Sequence, residues 1–245
     1  MLRRTITVKH NKVGIFTIRN FGFLTKYRAS TFSSKEPETI EWIDGFGSSE
    51  SLLDVGANIG LYSLYAASKG NSVRSMEPDA LNFALLNLHI LDNGLEENII
   101  AYPYAINDKS VISQLNIQNY KWGGANSSFD RVVDWRGEDN FSSQFKQGSP
   151  GITIDEFVEA SGFKPNHIKI DIDGNELLTL NGARKTLDSK DLKSILIELY
   201  EGNPEYDACL EILEDLSLVL KSKSHPVGSH SNKEPINHIF SKSQV

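Results

Sequence analysis

The chain has 245 residues, 39% of them hydrophobic and 23% charged, and a formal net charge of −7. That length suits one sizeable α/β domain, and the acidic balance weighs against nucleic acid as the main partner, since phosphate binding wants a basic face. A single cysteine, Cys209, excludes an internal disulfide framework, no apolar run is long enough for a membrane span, and MLRRTITVKHNKVG lacks the apolar stretch of a signal peptide, so a cytoplasmic location is the expectation.

Residues 4–27 alternate apolar and polar in pieces (TITV, VGIFTI), which predicts one or two short strands. PETIEWIDGF, residues 37–46, has Ile40 and Ile43 at helical spacing. Residues 1–50 thus read as strands and a helix packed on a domain that spans 51–245. From Ser51 strand and helix alternate: strands at 52–55, 72–76 and 98–101, helices at 59–68 and 80–91. The second helix carries an apolar face of Leu81, Leu85, Leu88 and Leu91. Residues 107–150 break the pattern, being polar and rich in Ser, Asn and Gly. They predict a hairpin or two with loops, inserted on the substrate side. Thr153-x-x-Glu156 fits a capping box. IKIDI (168–172) reads as a strand, 175–187 as a helix, SILIEL (194–199) as a strand and 206–216 as a helix. SLVLKS and INHIFS are expected to close the sheet as an antiparallel pair. The alternation implies an α/β fold whose sheet is mostly parallel with an antiparallel C-terminal strand and helices on both faces. A ligand then sits outside the carboxyl ends of the strands, where their order reverses.

The turn that follows the first of these strands is DVGANIG, residues 54–60. Small residues let its backbone approach a ligand. Gly56 permits a sharp exit from the strand, and Gly60 sits where the helix meets the sheet. Asn58 stands where a dinucleotide fingerprint has its second Gly. Asn tolerates a left-handed backbone, but its side chain fills space that a diphosphate needs, which favours a mononucleoside. Glu77 ends the next strand roughly 20 residues on, where an acid takes both ribose hydroxyls. Asp54 is a second fixed carboxylate, suited to an ammonium group or a bridging water. An NAD-dependent oxidoreductase or epimerase is the competing enzyme reading; the missing middle Gly and the absence of a Tyr-x-x-x-Lys helix count against it. A nucleoside-binding domain without turnover is the other alternative.

Asp171 and Asp173 flank Ile172, and strand alternation would put both carboxylates on one side. Such a pair can act as general base, orient an acceptor hydroxyl, or hold a divalent cation. Two acids are few for a hard cation, so metal independence is favoured. Asp173-x-x-Glu176 also fits a capping box. Lys169 can pair with either acid, and Glu198 ends its strand near the same crevice. His167, His225, His230 and His238 show no metal-ligand spacing and read as surface histidines. In NYKWGGANSSF, residues 119–129, Tyr120 and Trp122 stand beside a Gly pair and a cluster of hydroxyls and amides. That suits a sugar or other polyol; packing of Trp122 onto the domain is the alternative.

DVGANIGLYSLYAA followed by MEPD resembles the S-adenosylmethionine site of a class I methyltransferase. HIKIDIDGNELLTLNGA resembles the signature of FkbM-type methyltransferases, K-x-D-[VI]-[ED]-G-x-E, and SILIELY resembles that family's next strand. The likeness runs from about residue 37 to 240. It implies a Rossmann-like class I methyltransferase fold, S-adenosylmethionine as cofactor, and O-methylation of a hydroxyl on a sugar, glycan or small natural product. On this reading Asp54, Gly56, Ala57, Asn58, Gly60, Glu77, Pro78, Ala105 and Ile106 surround the cofactor. Asp171 and Asp173 are catalytic, Tyr120, Trp122, Ser127 and Lys169 face the acceptor, and no metal is bound. Asp173 stands where many members carry Glu.

Overall fold

The computed structural model describes residues 5–10, 13–138, 141–225 and 234–243. The chain opens with an antiparallel hairpin, β1 (Thr5–His10) and β2 (Val13–Arg19), then helices α1 (Phe23–Lys35) and α2 (Pro37–Asp44). Next come β3 (Ser51–Val55), α3 (Leu61–Ser68), β4 (Ser72–Met76), α4 (Ala80–Asp92) and β5 (Ile99–Tyr102). The region after them holds β6 (Ala105–Ile106), β7 (Val111–Ile117), β8 (Ser127–Phe129) and β9 (Phe145–Ile152). The last third is α5 (Ile154–Ser161), β10 (His167–Ile170), α6 (Glu176–Asn181), α7 (Arg184–Asp188), β11 (Ser194–Leu199), α8 (Tyr206–Asp215), β12 (Leu218–Ser224) and β13 (Ile236–Lys242).

Seven of the strands form one sheet in the order β12-β13-β11-β10-β3-β4-β5. β13 alone runs against the rest, pairing antiparallel with β11 and β12, while β11, β10, β3, β4 and β5 are parallel. Every residue of β3 and β10 is buried, as a central parallel strand covered on both faces requires. Successive β3 side chains divide between the faces: Leu53 and Val55 join a core with α5–α8, while Leu52 joins one with the hairpin and α1–α4. The chain steps outward through β4 and β5, then returns to the other side of β3 at β10. The reversal of strand order therefore lies between β3 and β10.

Helix α1 has no strong apolar periodicity in its sequence, FLTKYRASTFSSK. Its buried positions are Thr25, Ala29 and Phe32, a helical spacing hidden because only one of the three is large and apolar. The face expected for α4 is rotated. Asn82, Leu85, Leu86, His89 and Ile90 are buried, and Leu91 is 65% exposed. The cause is β2: its Arg19 N–H donates to His89 Nε2 at 2.9 Å, and its Thr17 N–H donates to Asn93 Oδ1 at 2.8 Å. Residues 107–150 contain more than hairpins. β7, β8 and β9 join β6 in a separate four-stranded sheet, seated on the domain by Gln147, whose Nε2 donates to Pro78 O at 2.6 Å. The capping box of α5 forms as expected, with Glu156 N–H donating to Thr153 Oγ1 at 3.0 Å. The single helix expected over 175–187 is two, broken at Gly182, where a Cβ would meet Asn107 O at 2.4 Å.

Candidate active site

A cavity of about 550 Å³ opens at the carboxyl ends of β3, β4 and β10, at the reversal of strand order. Of the residues expected around a cofactor, Asp54, Gly56, Ala57, Asn58, Glu77, Pro78, Ala105 and Ile106 line it. Gly60 does not; it caps α3 with φ 88°, and a Cβ there would meet Leu86 Cδ1 at 2.4 Å, so its smallness serves the packing of α3 on α4. Gly56 has φ 82°, and a Cβ would lie 1.9 Å from the Asp171 carbonyl oxygen. Its absent side chain therefore makes room first for the backbone of the second motif. Asn58 adopts φ 51°, the left-handed conformation its residue type allows.

Two acids stand at the glycine-turn end of the cavity. Glu77 is 6% exposed; Oε2 accepts the Asn58 N–H at 2.7 Å and Oε1 the Asp79 N–H at 2.9 Å. Burial, together with Asp79, pushes its carboxyl up to about 8 despite those donors. Asp54 is 1% exposed and accepts from Ser63 Oγ at 2.5 Å through Oδ2, while its buried Oδ1 has no partner. Burial raises its pKa, against the pull of Lys169. An orphaned buried carboxylate oxygen is costly unless a ligand completes it.

The second motif departs from the sequence expectation. β10 ends at Ile170, so Asp171 and Asp173 lie on a turn and strand alternation does not relate them. Asp173 takes φ 58° and turns its carboxylate away from α6. Oδ2 accepts the Asn126 N–H at 2.7 Å, from the segment between β7 and β8. No capping box forms there: Asn175 is the N-cap of α6, and Glu176 Oε1 accepts from Gly174 N at 3.0 Å. The two acids also differ electrostatically. Burial works to raise Asp171, but the Lys169 ammonium, 2.7 Å from Oδ2, outweighs it and holds the carboxyl low, with Lys35 and Arg28 adding. Burial and the neighbouring Asp171 push Asp173 up to about 6, opposed by the Asn126 N–H, Arg28 and the Ser127 N–H. Glu198, half-buried on β11, is raised well above its ordinary range by burial and by Asp171, Glu36 and Asp173.

Lys169 lines the cavity, with its ammonium held by the protein. Its side chain is 2% exposed, paired with Asp171 and placed 5.1 Å from the Tyr62 ring centroid. Ser127 lines the cavity. Tyr120 and Trp122 do not: Tyr120 stacks on Phe145 at 4.3 Å, and Trp122 packs on Phe21 at 4.8 Å. A smaller cavity of about 230 Å³ shares Asn126, Trp135 and Asp173 with the larger one and adds Gln118, Asp134, Arg136 and Phe141. Sequence reasoning missed the wall from α1, where Tyr27, Arg28, Thr31 and Lys35 reach the cavity. The only trace of it was the spacing of Thr25, Ala29 and Phe32.

The histidines divide. His167 is buried, with Nε2 2.7 Å from Glu50 Oε2 and Nδ1 2.7 Å from Ser194 Oγ, and Phe46 stacks on its ring at 3.7 Å. His238 is buried with Nε2 3.0 Å from the Tyr206 hydroxyl. Neither is the surface histidine expected: each opens or lies within a sheet strand. His225 is exposed, and His230 lies outside the described residues. Among the described residues no group of three or more His, Cys, Asp or Glu side chains is arranged to hold a metal ion, and no helix is long and apolar enough to cross a membrane.

Residues 54–219 match the family model described as the methyltransferase FkbM domain. No curated protein matches the chain at a significant level. Among solved structures, the methyltransferase FkbM from Methylobacillus flagellatus KT aligns with a TM-score of 0.54 and 20% identity, over 80% of this chain and 44% of that one. The present chain thus spans less than half the length of that protein. An rRNA methylase from Streptococcus thermophilus aligns with a TM-score of 0.52 and 13% identity, over 85% of this chain and 95% of that one. Precorrin-6y C5,15-methyltransferase from Geobacter metallireducens GS-15 gives 0.51 and 11%, over 85% and 87%. At these identities the likeness is one of fold.

Proposed function

This chain belongs to the FkbM methyltransferase family, and on that premise we propose that it moves a methyl group from S-adenosylmethionine to a hydroxyl of a sugar, glycan or small natural product. The observation that carries the cofactor assignment is Asp54, which lines the cavity and whose buried Oδ1 has no partner. An ammonium group is the partner such an oxygen lacks. Glu77 supports the same reading from the end of the next strand: already fixed by two N–H donors, it can accept from a pair of ribose hydroxyls, and those added donors would favour the ionised form that burial opposes. The residues therefore fit the group. When bound, S-adenosylmethionine supplies a methyl made electrophilic by its sulfonium.

The chain's own residues have two tasks in this reaction: to align the acceptor hydroxyl, and to receive its proton. Alignment supplies much of the rate. For the proton, a base works best with a pKa near the operating pH. Asp173, pushed up to about 6, suits that role better than Asp171, which Lys169 keeps low. We assign Asp173 as the general base and Asp171 as the partner that holds Lys169 charged in the wall. The acceptor site we assign is where Asp173, Asn126 and Trp135 border both cavities, with Ser127 lining the larger one.

The test is transfer of label from methyl-tritiated S-adenosylmethionine to fractionated glycans and small molecules, followed by linkage analysis of the product. Label recovered on oxygen, and lost with Asp173→Asn while cofactor binding persists, supports the assignment. Label on nitrogen or carbon rejects the hydroxyl acceptor, and undiminished transfer by the folded variant rejects Asp173 as base.

A further inference from the structure

The Gly pair of WGGANSS forms a strap across the cavity, and its fastening is unusually specific. Asn82, on α4 and 3% exposed, grips it twice: Nδ2 donates to Gly124 O at 3.1 Å, and Oδ1 accepts the Gly123 N–H at 2.9 Å. Asn58, in the turn after β3, donates to the same Gly124 oxygen at 2.6 Å. Arg28 Nε, from α1, donates to Gly123 O at 2.9 Å. The strap cannot carry a side chain at Gly124, where a Cβ would meet Asn119 O at 2.2 Å. Two residues beyond the clasp, Asn126 is left-handed at φ 64°, an uncommon state for a residue other than glycine. That conformation aims its N–H at Asp173 Oδ2, 2.7 Å away.

We propose that Asn82 is a positioning residue for Asp173: by clasping Gly123 and Gly124 it fixes the strap so that the Asn126 N–H meets the Asp173 carboxylate. Asn58 fastens the same strap only through its side-chain amide; its backbone N–H stays on Glu77, in a turn anchored separately by the Gly56 and Ala57 N–H groups on Met76 O. Asn82 itself makes no hydrogen bond to Asp173. Its effect travels through the four residues from Gly123 to Asn126.

The groups around Asp173 are known. Asp171 lies on the same turn, Glu176 on α6 and Glu198 on β11, while Arg28 faces it from α1. Across the smaller cavity are Asp134 and Arg136, which pair with each other at 3.2 Å. None of these charges changes when Asn82 is replaced. A freed strap removes an N–H donor from the ionised carboxylate, and loss of such a donor raises a carboxyl pKa.

The inference takes its meaning from the reading of Asp173 as base, but its test uses the free protein. Failure of one therefore leaves the other standing. The experiment is a ¹³C-carboxyl NMR titration of the full chain, with Asp173 and Glu77 assigned from Asp173→Asn and Glu77→Gln. Glu77 is the internal control, because its donors are Asn58 N and Asp79 N and not the strap. Asn82→Ala is expected to raise the Asp173 midpoint by about one unit or more while Glu77 stays in place. Asn82→Gln, which keeps the amide but displaces it by one methylene, is expected to give a smaller rise, and it is read in the same way if the alanine variant does not fold. An unmoved Asp173 in a folded variant overturns the proposal. So does a common shift of Asp173 and Glu77, which marks general loosening of the cavity.

Discussion

Gly56→Ala is the sharpest probe of how the glycine turn and the second motif are built together. Two costs add. An L-residue at φ 82° bears the left-handed penalty of about 1–2 kcal/mol. The added methyl also meets the Asp171 carbonyl oxygen at 1.9 Å and Ile172 Cγ2 at 3.0 Å, and relieving such overpacking costs about 1–3 kcal/mol. The nearest atom is backbone, so the contact is relieved only by moving the turn that carries Asp171 and Asp173, straining the Asp171 N–H bond to Val55 O. The sum is about 2–5 kcal/mol. Gly94→Ala is the matched control: φ is 63°, and nothing lies within 4 Å of the new Cβ. It bears only the left-handed term, about 1–2 kcal/mol. Urea unfolding of the two variants, compared through midpoints at unchanged m-values, isolates the contact. If Gly56→Ala costs no more than Gly94→Ala, the close approach of Gly56 to Asp171 is not a constraint on this fold.

The remaining predictions concern charge. Glu77 is pushed up to about 8 in the folded protein against an ordinary 4.5, so its contribution to stability is fully present below about 4.5 and lost as pH rises through 8. Thermal unfolding of the cofactor-free protein should show wild type losing ground to Glu77→Gln across that window; parallel curves would remove the raised carboxyl. Glu50 has the opposite sign: His167, Lys193 and the Gly47 N–H hold it down to about 2 against burial, so its contribution is present above about 4.5 and lost as pH falls through 2. Glu50→Gln should therefore flatten the acid limb of the stability profile, and an unchanged limb contradicts this. Asp171→Asn leaves the buried Lys169 without its closest partner and should cost about 3 kcal/mol in denaturant, the low end for a broken pair, because Asp171 is 32% exposed and Asp54 and Glu36 still face the ammonium. Asp173→Asn should do the reverse, nearly sparing stability and lowering methyl transfer by about a hundredfold or more. Equal effects of the two on transfer, with no stability difference, would undo the division of roles.

The central sheet was legible because its strands are short apolar runs between turn residues, and a run buried on both faces, such as SLLDV, needs no periodicity to be found. What escaped was decided by tertiary contact. α1 is held against the domain through Thr25, Ala29 and Phe32, a pattern with no strong helical signal, so the wall it supplies was invisible. The face of α4 followed the polar grips of His89 and Asn93 on β2, which a search for leucines cannot see. Asn58, Glu77 and Asp54 were readable as neighbours in one cavity because the turn and strand end that present them have fixed spacing. Asp173 was readable as an acid near the strand end but not in its geometry: the competing helix-cap reading fails because Asn126, far away in sequence, supplies its N–H partner. Tyr120 and Trp122 show the converse, aromatic residues whose partners, Phe145 and Phe21, lie on other elements and keep them off the cavity wall.

The most direct measurement is calorimetric titration of S-adenosylmethionine into the wild-type protein and into Glu77→Ala. The wild type should bind, and the variant should remain folded and lose about 1.5–3 kcal/mol of binding free energy, roughly a 10- to 150-fold weaker dissociation constant, because charge-assisted hydrogen bonds to the ribose are gone. Equal affinity in wild type and a folded variant, or no binding by the wild type, would contradict the assignment of this cavity to the methyl donor.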